Sequence, residues 1–284
     1  MSAESLFWMI HLPLMVLFLV GMVDVLSVWL RGRVEGLEND SAGRKAGALL
    51  RTVLAAIFSR HLPQIIKAFI TEAWFNRRLW RANRWRWLSH FLLLTGFMLL
   101  MTLSGLAALS DKVLHHVFHL EHVPWIAMWY NLDHPVPAVL GEMGSVLMSV
   151  GLIFFIVRRY AFRTPQLRTG PMDTWMVVGL GLILLSGWVT EIVRLSSGDV
   201  GPMAYLAFVG YPLSRLFAGL ALPWERLHDW MYVGHGILTS LVIVTIPYSK
   251  FMHVIAGGLV ATADQFQEET ARVGGEKGGA HVLV

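Results

Sequence analysis

The chain contains no cysteine among its 284 residues. Thiolates are the ligands or attachment points for iron–sulfur clusters, thiolate zinc sites, disulfide bonds and c-type haem, so none of these is expected within this chain. Any metal must therefore be held by histidine, methionine or carboxylate side chains.

Charge is also scarce, since only 15% of the residues are charged and 55% are hydrophobic. That balance is too apolar for a soluble domain of this length. Five apolar stretches are long enough to cross a bilayer, and they read as helices rather than strands. They cover residues 7–30, 88–109, 136–157, 174–193 and 231–254. We therefore expect an all-α integral membrane bundle of five transmembrane helices.

The few basic residues are distributed unevenly between the two sides of this predicted bundle. Nineteen of the 23 lysines and arginines fall within 31–86, 158–173 and the segment after 249, and four fall in the other two loops. The positive-inside rule then places the N-terminus outside and the C-terminus in the cytoplasm. The excess of positive charge is explained by this topology in the inner (cytoplasmic) membrane, and no nucleic-acid binding is expected.

Two connections between the predicted helices have unusual composition. Residues 31–86 form a basic, aromatic, amphipathic cytoplasmic loop with two helical patterns, 46–58 and 63–74, which is typical of helices lying on membrane lipids. Docking of a soluble partner on the same loop is an open alternative. Residues 201–224 predict a pair of short interfacial helices. The membrane domain is expected to cover 1–258, followed by a polar cytoplasmic tail at 259–284.

Histidines inside apolar spans carry the chemical signal, because a polar side chain there is costly and marks a candidate functional site. His235 and His253 are eighteen residues apart, which on an unbroken helix is five turns, or ~27 Å along one face. His90 is expected at a depth similar to that of His253. Two facing imidazoles are what a six-coordinate haem iron requires, and Arg86 is placed to pair with a haem propionate. Histidines that only hydrogen-bond in the packing are the alternative.

Two segments carry a resemblance to a known family. "HGILTSLVIVTIPYSKFMHVIAGGLV" (235–260) resembles the last helix of the gamma subunit of respiratory nitrate reductase, with a Pro-aromatic-Ser-basic run before the second histidine. "RWRWLSHFLLLTGF" (84–97) is more similar to the membrane subunit of heterodisulfide reductase and to the cytochrome b of sulfite-reduction-associated complexes. The sequence is therefore identified as similar to that cytochrome b superfamily.

The resemblance implies a cofactor set and a function. Such proteins hold two haem b groups and exchange electrons between membrane quinone, menaquinone or ubiquinone, and a cytoplasmic iron–sulfur subunit within a larger complex. It implies that His90 and His253 ligate the inner haem and that His235 ligates the outer haem. Glu142, or His228 with its neighbour Asp229, is a candidate carrier of a quinone proton, although a purely structural carboxyl at position 142 is an equal alternative.

The chain departs from the nitrate reductase pattern at one position. The second helix of that pattern has another histidine ten residues after the first, and here that residue is Leu100. Ranked by depth along ideal helices, the substitutes are His11, then His134, then His116. A protein with a single haem is an open alternative.

Three functions are thus compared at this stage. The first is a b-type cytochrome membrane subunit of a respiratory complex, which is active as an oxidoreductase only together with partner subunits. The second is the cytochrome b of a hydrogenase or formate dehydrogenase. The third is a non-redox scaffold or proton-relay transporter, but broken helices or inverted repeats typical of transporters are not apparent in the sequence.

The absence of cysteine allows a direct test of orientation. In intact cells or right-side-out vesicles, a membrane-impermeant maleimide should label His122→Cys, which lies in a predicted outer loop. It should label Ser41→Cys, in the predicted cytoplasmic loop, only after lysis, and the parent chain gives no background. Labelling of Ser41→Cys alone before lysis would reverse the topology.

Overall fold

The computed structural model describes residues 3–32, 40–120, 122–131, 134–162, 170–197, 200–201, 203–252, 254 and 256–257. Every regular element within those residues is helical. Contacts divide the chain into two compact units, which are described separately. The first unit is Met1–Leu14 with Leu88–Val242, and the second is Met15–Trp87 with Ile243–Val284.

Among the described residues, five helices are long and apolar enough to cross a membrane, which confirms the predicted all-α architecture with five spans. The protein is therefore a multi-pass membrane protein. The five spans are Ala3–Leu30, Arg84–His115, Pro135–Ala161, Pro171–Ser196 and Trp224–Tyr248.

The helices are labelled here in chain order, and α1, α5, α7, α8 and α10 form the spans. Wider π-helical turns, with i to i+5 hydrogen bonds, extend α5 through Leu109–His115 and α7 through Val157–Ala161. The α-helices are α1 Ala3–Leu30, α2 Ala42–Ile57, α3 Leu62–Ala68, α4 Arg77–Ala82, α5 Arg84–Ala108, α6 Pro124–Tyr130, α7 Pro135–Ile156, α8 Pro171–Ser196, α9 Gly210–Arg215 and α10 Trp224–Val244.

The two unusual connections form the helices that the sequence predicts. In the loop between α1 and α5, α2 begins where the Ser41 side chain accepts a hydrogen bond from the backbone N–H of Arg44. A proline stands in the first turn of α3, where its missing N–H costs nothing. α2 and the following helix through Trp74 meet at a bend of 103°. In the connection before α10, a 3₁₀ turn at Ala204–Leu206 and α9 are the pair of short helices.

Glycines set the contact between α5 and α7 in the first unit. A Cβ placed on Gly151 would lie 2.4 Å from the backbone nitrogen of Leu93, and one on Gly96 would lie 2.4 Å from that of Met148. The two backbones therefore touch, as small residues allow between membrane helices. Because apolar side chains gain little from packing in lipid, this close approach is what holds the two spans together.

An aromatic cluster organises the second unit. The indole N–H of Trp87 donates a hydrogen bond to the carbonyl oxygen of Phe75, and the Trp80 ring meets the Trp87 ring edge-on at 4.5 Å between centroids. The guanidinium of Arg84 lies 5.2 Å over the Trp80 ring. These contacts fix the end of the amphipathic loop against the start of α5.

The last span is not one unbroken helix, so the predicted helix over 231–254 is wrong in its second half. α10 ends at Val244, a 3₁₀ turn follows at Ile246–Tyr248, and Ser249 is extended with φ −112° and ψ 173°. Pro247 causes the break, since it has no N–H to donate to a preceding carbonyl. Five-turn spacing therefore does not relate His235 to residue 253.

The glycine contact between α5 and α7 predicts a stability difference between two substitutions in one helix. Gly151→Ala should destabilise the protein by about 1–3 kcal/mol, because its Cβ must push the backbone of α5 away. Gly141→Ala is the matched control, since its Cβ meets nothing within 4 Å. Thermal unfolding of the detergent-solubilised chain, followed by tryptophan fluorescence, measures both. Equal melting temperatures for the two variants would contradict the close contact.

Candidate functional site

His235 is held by the fourth span. Its Nδ1 lies 2.8 Å from the Ser186 hydroxyl on α8, and a Cβ on the next residue, Gly187, would lie 3.2 Å from the His235 Cε1. The glycine thus lets the imidazole lie directly against the α8 backbone. Any larger residue at position 187 would displace the ring.

The hydrogen bonds around Ser186 favour one tautomer of His235. The Ser186 hydroxyl has one proton and a carbonyl acceptor, that of Ile183, at 3.0 Å. When the hydroxyl donates to this carbonyl, its oxygen accepts from the Nδ1–H of His235. The lone pair of the neutral imidazole is then on Nε2, which is the tautomer of a metal-ligating histidine oriented by a second partner.

His11 repeats this arrangement on the first span. Its Nδ1 lies 2.8 Å from the Ser240 hydroxyl on α10, and Ser240 donates its own proton to the carbonyl oxygen of Gly236 at 2.6 Å. By the same reasoning, the Nε2 of His11 has the free lone pair. Phe7 stacks on the His11 ring at 4.9 Å between centroids.

The structure does not bring His11 and His235 together as a pair. His11 binds α10 at Ser240, and five residues on an α-helix turn through 140°, so the side chain of His235 leaves the same helix in another direction. α1 also lies close to α10, because a Cβ on Gly236 would meet the Phe7 ring at 2.5 Å. His11 as a ligand of the outer haem stays a prediction.

His134 has the opposite tautomer and a structural role. It is the N-cap of α7, and its Nδ1 accepts a hydrogen bond from the backbone N–H of Val136 at 3.3 Å. In the neutral ring the proton is then on Nε2, which leaves no lone pair there for a metal. Capping of α7 thus competes with a role for His134 as a haem ligand.

The residues predicted for the inner haem are only partly described. His90 is half-buried in α5, just after buried Ser89, and Arg86 is exposed in the first turn of that helix. The backbone N–H of Arg86 donates to the Asn83 side chain at 2.9 Å. His253 lies outside the described residues. The pairing of His90 with His253, and of Arg86 with a propionate, stay predictions.

Leu100, the position where the nitrate reductase pattern has a histidine, packs on α7. Its Cγ lies 3.0 Å from a Cβ built on Gly144. The side chain at this position fills the interface between the second and third spans. The leucine is thus part of the packing that the glycines create.

Glu142 is buried in α7 and holds the connection that leads to α10. Its Oε1 accepts a hydrogen bond from the backbone N–H of Gly210 at 3.0 Å, and its Oε2 accepts from that of Val209 at 3.3 Å. These amides begin α9, where a carboxylate is favoured by the orphan N–H groups. Both carboxylate oxygens of Glu142 accept hydrogen bonds from backbone amides. These contacts support a structural role for Glu142.

Two charged residues that the sequence analysis missed, Glu191 and Arg194, form a polar group near Glu142 together with the predicted candidate His228. Glu191, near the end of α8, touches Gly210, since its Cγ is 3.2 Å from a Cβ built there. Arg194 forms two hydrogen bonds to the Glu191 carboxylate, at 3.0 and 3.1 Å. His228 lies in the second turn of α10, and the charges that act on it include those of Arg194 and Glu191. The sequence signal that could have identified Glu191 and Arg194 is the presence of charged residues at the end of an apolar span.

The spans hold histidines whose rings are oriented by hydrogen bonds, and a polar group lies at the ends of two spans. These features define a membrane protein with a candidate cofactor site. No family model matches the chain, and no solved structure matches it. Relatives of known name are the E subunits of dihydromethanophenazine:CoB–CoM heterodisulfide reductase. The chain is 26% identical to the one of Methanosarcina thermophila over 259 residues and to the one of Methanosarcina mazei over 265, and 24% identical to that of Methanosarcina barkeri over 260.

These matches cover 88% of this chain and 88–89% of each relative. The predicted resemblance to the membrane subunit of heterodisulfide reductase is therefore confirmed along most of the length.

The contact of Glu142 predicts a local change in hydrogen exchange. Glu142→Ala should speed exchange of the Val209 and Gly210 amides about ten-fold or more, because a hydrogen bond to a charged group contributes ~1.5–3 kcal/mol. Met143→Ala, at the exposed neighbour on α7, is the matched control. Hydrogen–deuterium exchange with peptide-level mass spectrometry measures the effect. Unchanged protection of 209–210 in Glu142→Ala would show that the carboxylate does not hold this segment.

Proposed function

We propose that this chain is the membrane cytochrome b subunit of a respiratory complex, carrying electrons between a membrane quinone and a cytoplasmic iron–sulfur subunit. The observation that carries the proposal is the orientation of His235, whose Nε2 lone pair is set by a serine on a neighbouring span. The similarity to the heterodisulfide reductase relatives supports it, because their name describes a protein of an electron-transferring complex.

The surroundings of one described histidine, His235, support a role as a haem b ligand. A metal-ligating histidine normally donates its second ring N–H to a protein acceptor, as His235 does to Ser186. We assign His235 to an outer haem, and His90 with His253 to an inner haem, with Arg86 as the propionate partner. When bound, haem b supplies one-electron redox chemistry within the apolar bundle.

The sixth ligand of the outer haem is the open element of this assignment. Of the ranked substitutes, His11 offers an Nε2 lone pair, whereas the neutral His134 that caps α7 does not. The contact of the His11 Nδ1 with Ser240 is compatible with ligation through Nε2. Use of His134 requires the N-cap of α7 to be given up.

The polar group at Glu191, Arg194 and His228 is the proposed substrate site. A quinone presents two carbonyl oxygens that accept hydrogen bonds, and Arg194 and His228 are donors at the end of the spans. His228 is also able to take up a proton when a quinol is oxidised. The name of the relatives includes dihydromethanophenazine, and a dihydrophenazine, like a quinol, releases protons and electrons when it is oxidised.

The partner side of the proposal rests on the basic loop between α1 and α5. The α2 helix exposes Leu49, Leu50, Leu54 and Ile57, which suits a helix lying on lipid. Basic residues in the same loop would face an iron–sulfur subunit and the further subunits of the complex. This part of the proposal follows from the positive charge of the loop and from the name of the relatives, which describes each relative as one subunit of a larger complex.

Haem content of a small series of variants tests the function. The purified chain should show the reduced-minus-oxidised spectrum of b-type haem, with two haems per chain by pyridine assay. His235→Ala should lose one haem, since its ligand is gone. Ser186→Ala should retain both haems but shift the midpoint potential of one, because the ligand loses its hydrogen-bond partner. A chain without any b-type signal would favour the non-redox alternative.

Matched variants separate ligation from general instability. His11→Ala and His134→Ala identify the sixth ligand, since the ligand variant should lose the same haem as His235→Ala. His228→Ala should retain both haems and slow their reduction by quinol roughly ten-fold, as loss of one substrate hydrogen bond implies. His122→Ala in the outer loop is its control. Quinol reduction at the parental rate in His228→Ala would remove the proposed substrate site.

A further inference from the structure

A second group of potential ligands lies at the far end of the second span. Asp111, His115 and His116 offer one ligand atom each, and these atoms lie within 4.8 Å of one another. All three belong to the first unit, with Asp111 and His115 in the π-helical turn that extends α5 and His116 as its C-cap. The span Arg84–His115 has 32 residues, or ~48 Å of helix. That exceeds the ~30 Å hydrocarbon core, so this turn projects beyond the lipid when the span starts at the opposite surface.

The π-helical turn is what gathers these residues. In an α-helix, residues five apart point 140° away from each other. Here the backbone N–H of His116 bonds to the carbonyl oxygen of Asp111, an i to i+5 bond that widens the turn. Residues 115 and 116 therefore both lie over residue 111. π-turns of this kind are frequent at functional sites.

Two of the three ligand separations match a tetrahedral metal. Asp111 Oδ1 lies 3.4 Å from the Nδ1 of His116 and 3.6 Å from the Nδ1 of His115. Metal–ligand bonds of 2.0–2.2 Å in a tetrahedron give ligand separations of roughly 3.3–3.6 Å. The centroids of the two imidazole rings are 4.6 Å apart and the rings are tilted by 53°, and the nitrogens that they offer lie within 4.8 Å of each other.

The two oxygens of Asp111 are divided between two kinds of partner. Oδ2 bonds to the ammonium of Lys112 at 2.7 Å, and Lys112 in turn reaches the Glu4 carboxylate on α1 at 2.8 Å. Oδ1 faces the imidazoles. Lys112 thus offsets part of the negative charge of Asp111, and the second carboxylate oxygen remains directed to the imidazoles.

We propose that Asp111, His115 and His116 form a binding site for a single divalent transition-metal ion of the zinc type. Two imidazoles with one carboxylate favour zinc and similar first-row ions over calcium and magnesium, which prefer oxygen ligands. The fourth position is open to solvent on the exposed side of His116, so water completes the shell. On binding, the Nδ1 proton that His116 donates to the Asp111 carbonyl oxygen moves to Nε2. The site does not depend on the proposed haem and quinone functions, but a zinc ion held there excludes His116, the third-ranked substitute, as a ligand of the outer haem.

Equilibrium dialysis of the full chain against zinc, with metal measured by mass spectrometry, tests the site. The protein is purified through a tag without histidine. We expect one zinc per chain, and His115→Ala with His116→Ala together should weaken binding by at least about 100-fold, since two of three ligands are removed. His119→Asn with His122→Ala is the matched control, because both histidines lie in the same loop outside the site, and asparagine tolerates the positive φ at position 119.

A variant that binds zinc more tightly distinguishes a specific effect on the site from misfolding of the protein. Lys112→Gln should tighten zinc binding several-fold, because it removes a positive charge that lies against the Asp111 carboxylate. A damaged protein does not bind more tightly. Equal zinc affinity in the parent and the His115/His116 variant, or loss of zinc only in the His119/His122 variant, would overturn the proposal and show adventitious binding by surface histidines.

Discussion

The hydrogen bond between the Ser186 hydroxyl and the Ile183 carbonyl oxygen governs the chemistry available to His235. When the serine proton is used in this bond, the serine oxygen is an acceptor, and the imidazole beside it donates from Nδ1. In an apolar span the partners of both groups come from the protein. A histidine prepared in this way has its lone pair on the nitrogen that faces away from the serine.

Glycine supports the same arrangement from the packing side. Gly187 admits the His235 ring to the surface of α8, and Gly236 admits the Phe7 ring, which stacks on His11, to the surface of α10. In lipid, helices gain little from burying larger apolar residues against each other, so small residues determine where they approach. The glycine contacts therefore also fix where His235 meets Ser186 and where His11 meets Ser240.

The spans and both sets of short helices were predictable from the sequence, because length and hydropathy leave few alternatives for an apolar stretch of more than twenty residues. The partners of the polar side chains were not. Glu142 bonds to amides 67 and 68 positions away, and no local pattern states which backbone N–H groups a buried carboxylate will meet. The tautomer of His235 likewise depends on Ser186, 49 positions earlier. The π-turn at Leu109–His115 is a third case, since no spacing in the sequence distinguishes it from a continued α-helix.

The break at the end of α10 had a signal in the sequence, and the reason for its position lies in packing. Pro247 removes a helical hydrogen bond. A Cβ on Gly21 of α1 would lie 3.2 Å from Pro247 and 3.0 Å from the Tyr248 ring. Within the second unit, the turn therefore occupies space that is available because residue 21 is glycine. The Pro-aromatic-Ser-basic run is therefore a structural element that ends the helix after His235. Helical rise no longer fixes the separation of His235 from the second histidine of the motif. The inner-haem assignment consequently depends on the family resemblance, whereas that of His235 also has a physical basis in the hydrogen bonds of Ser186.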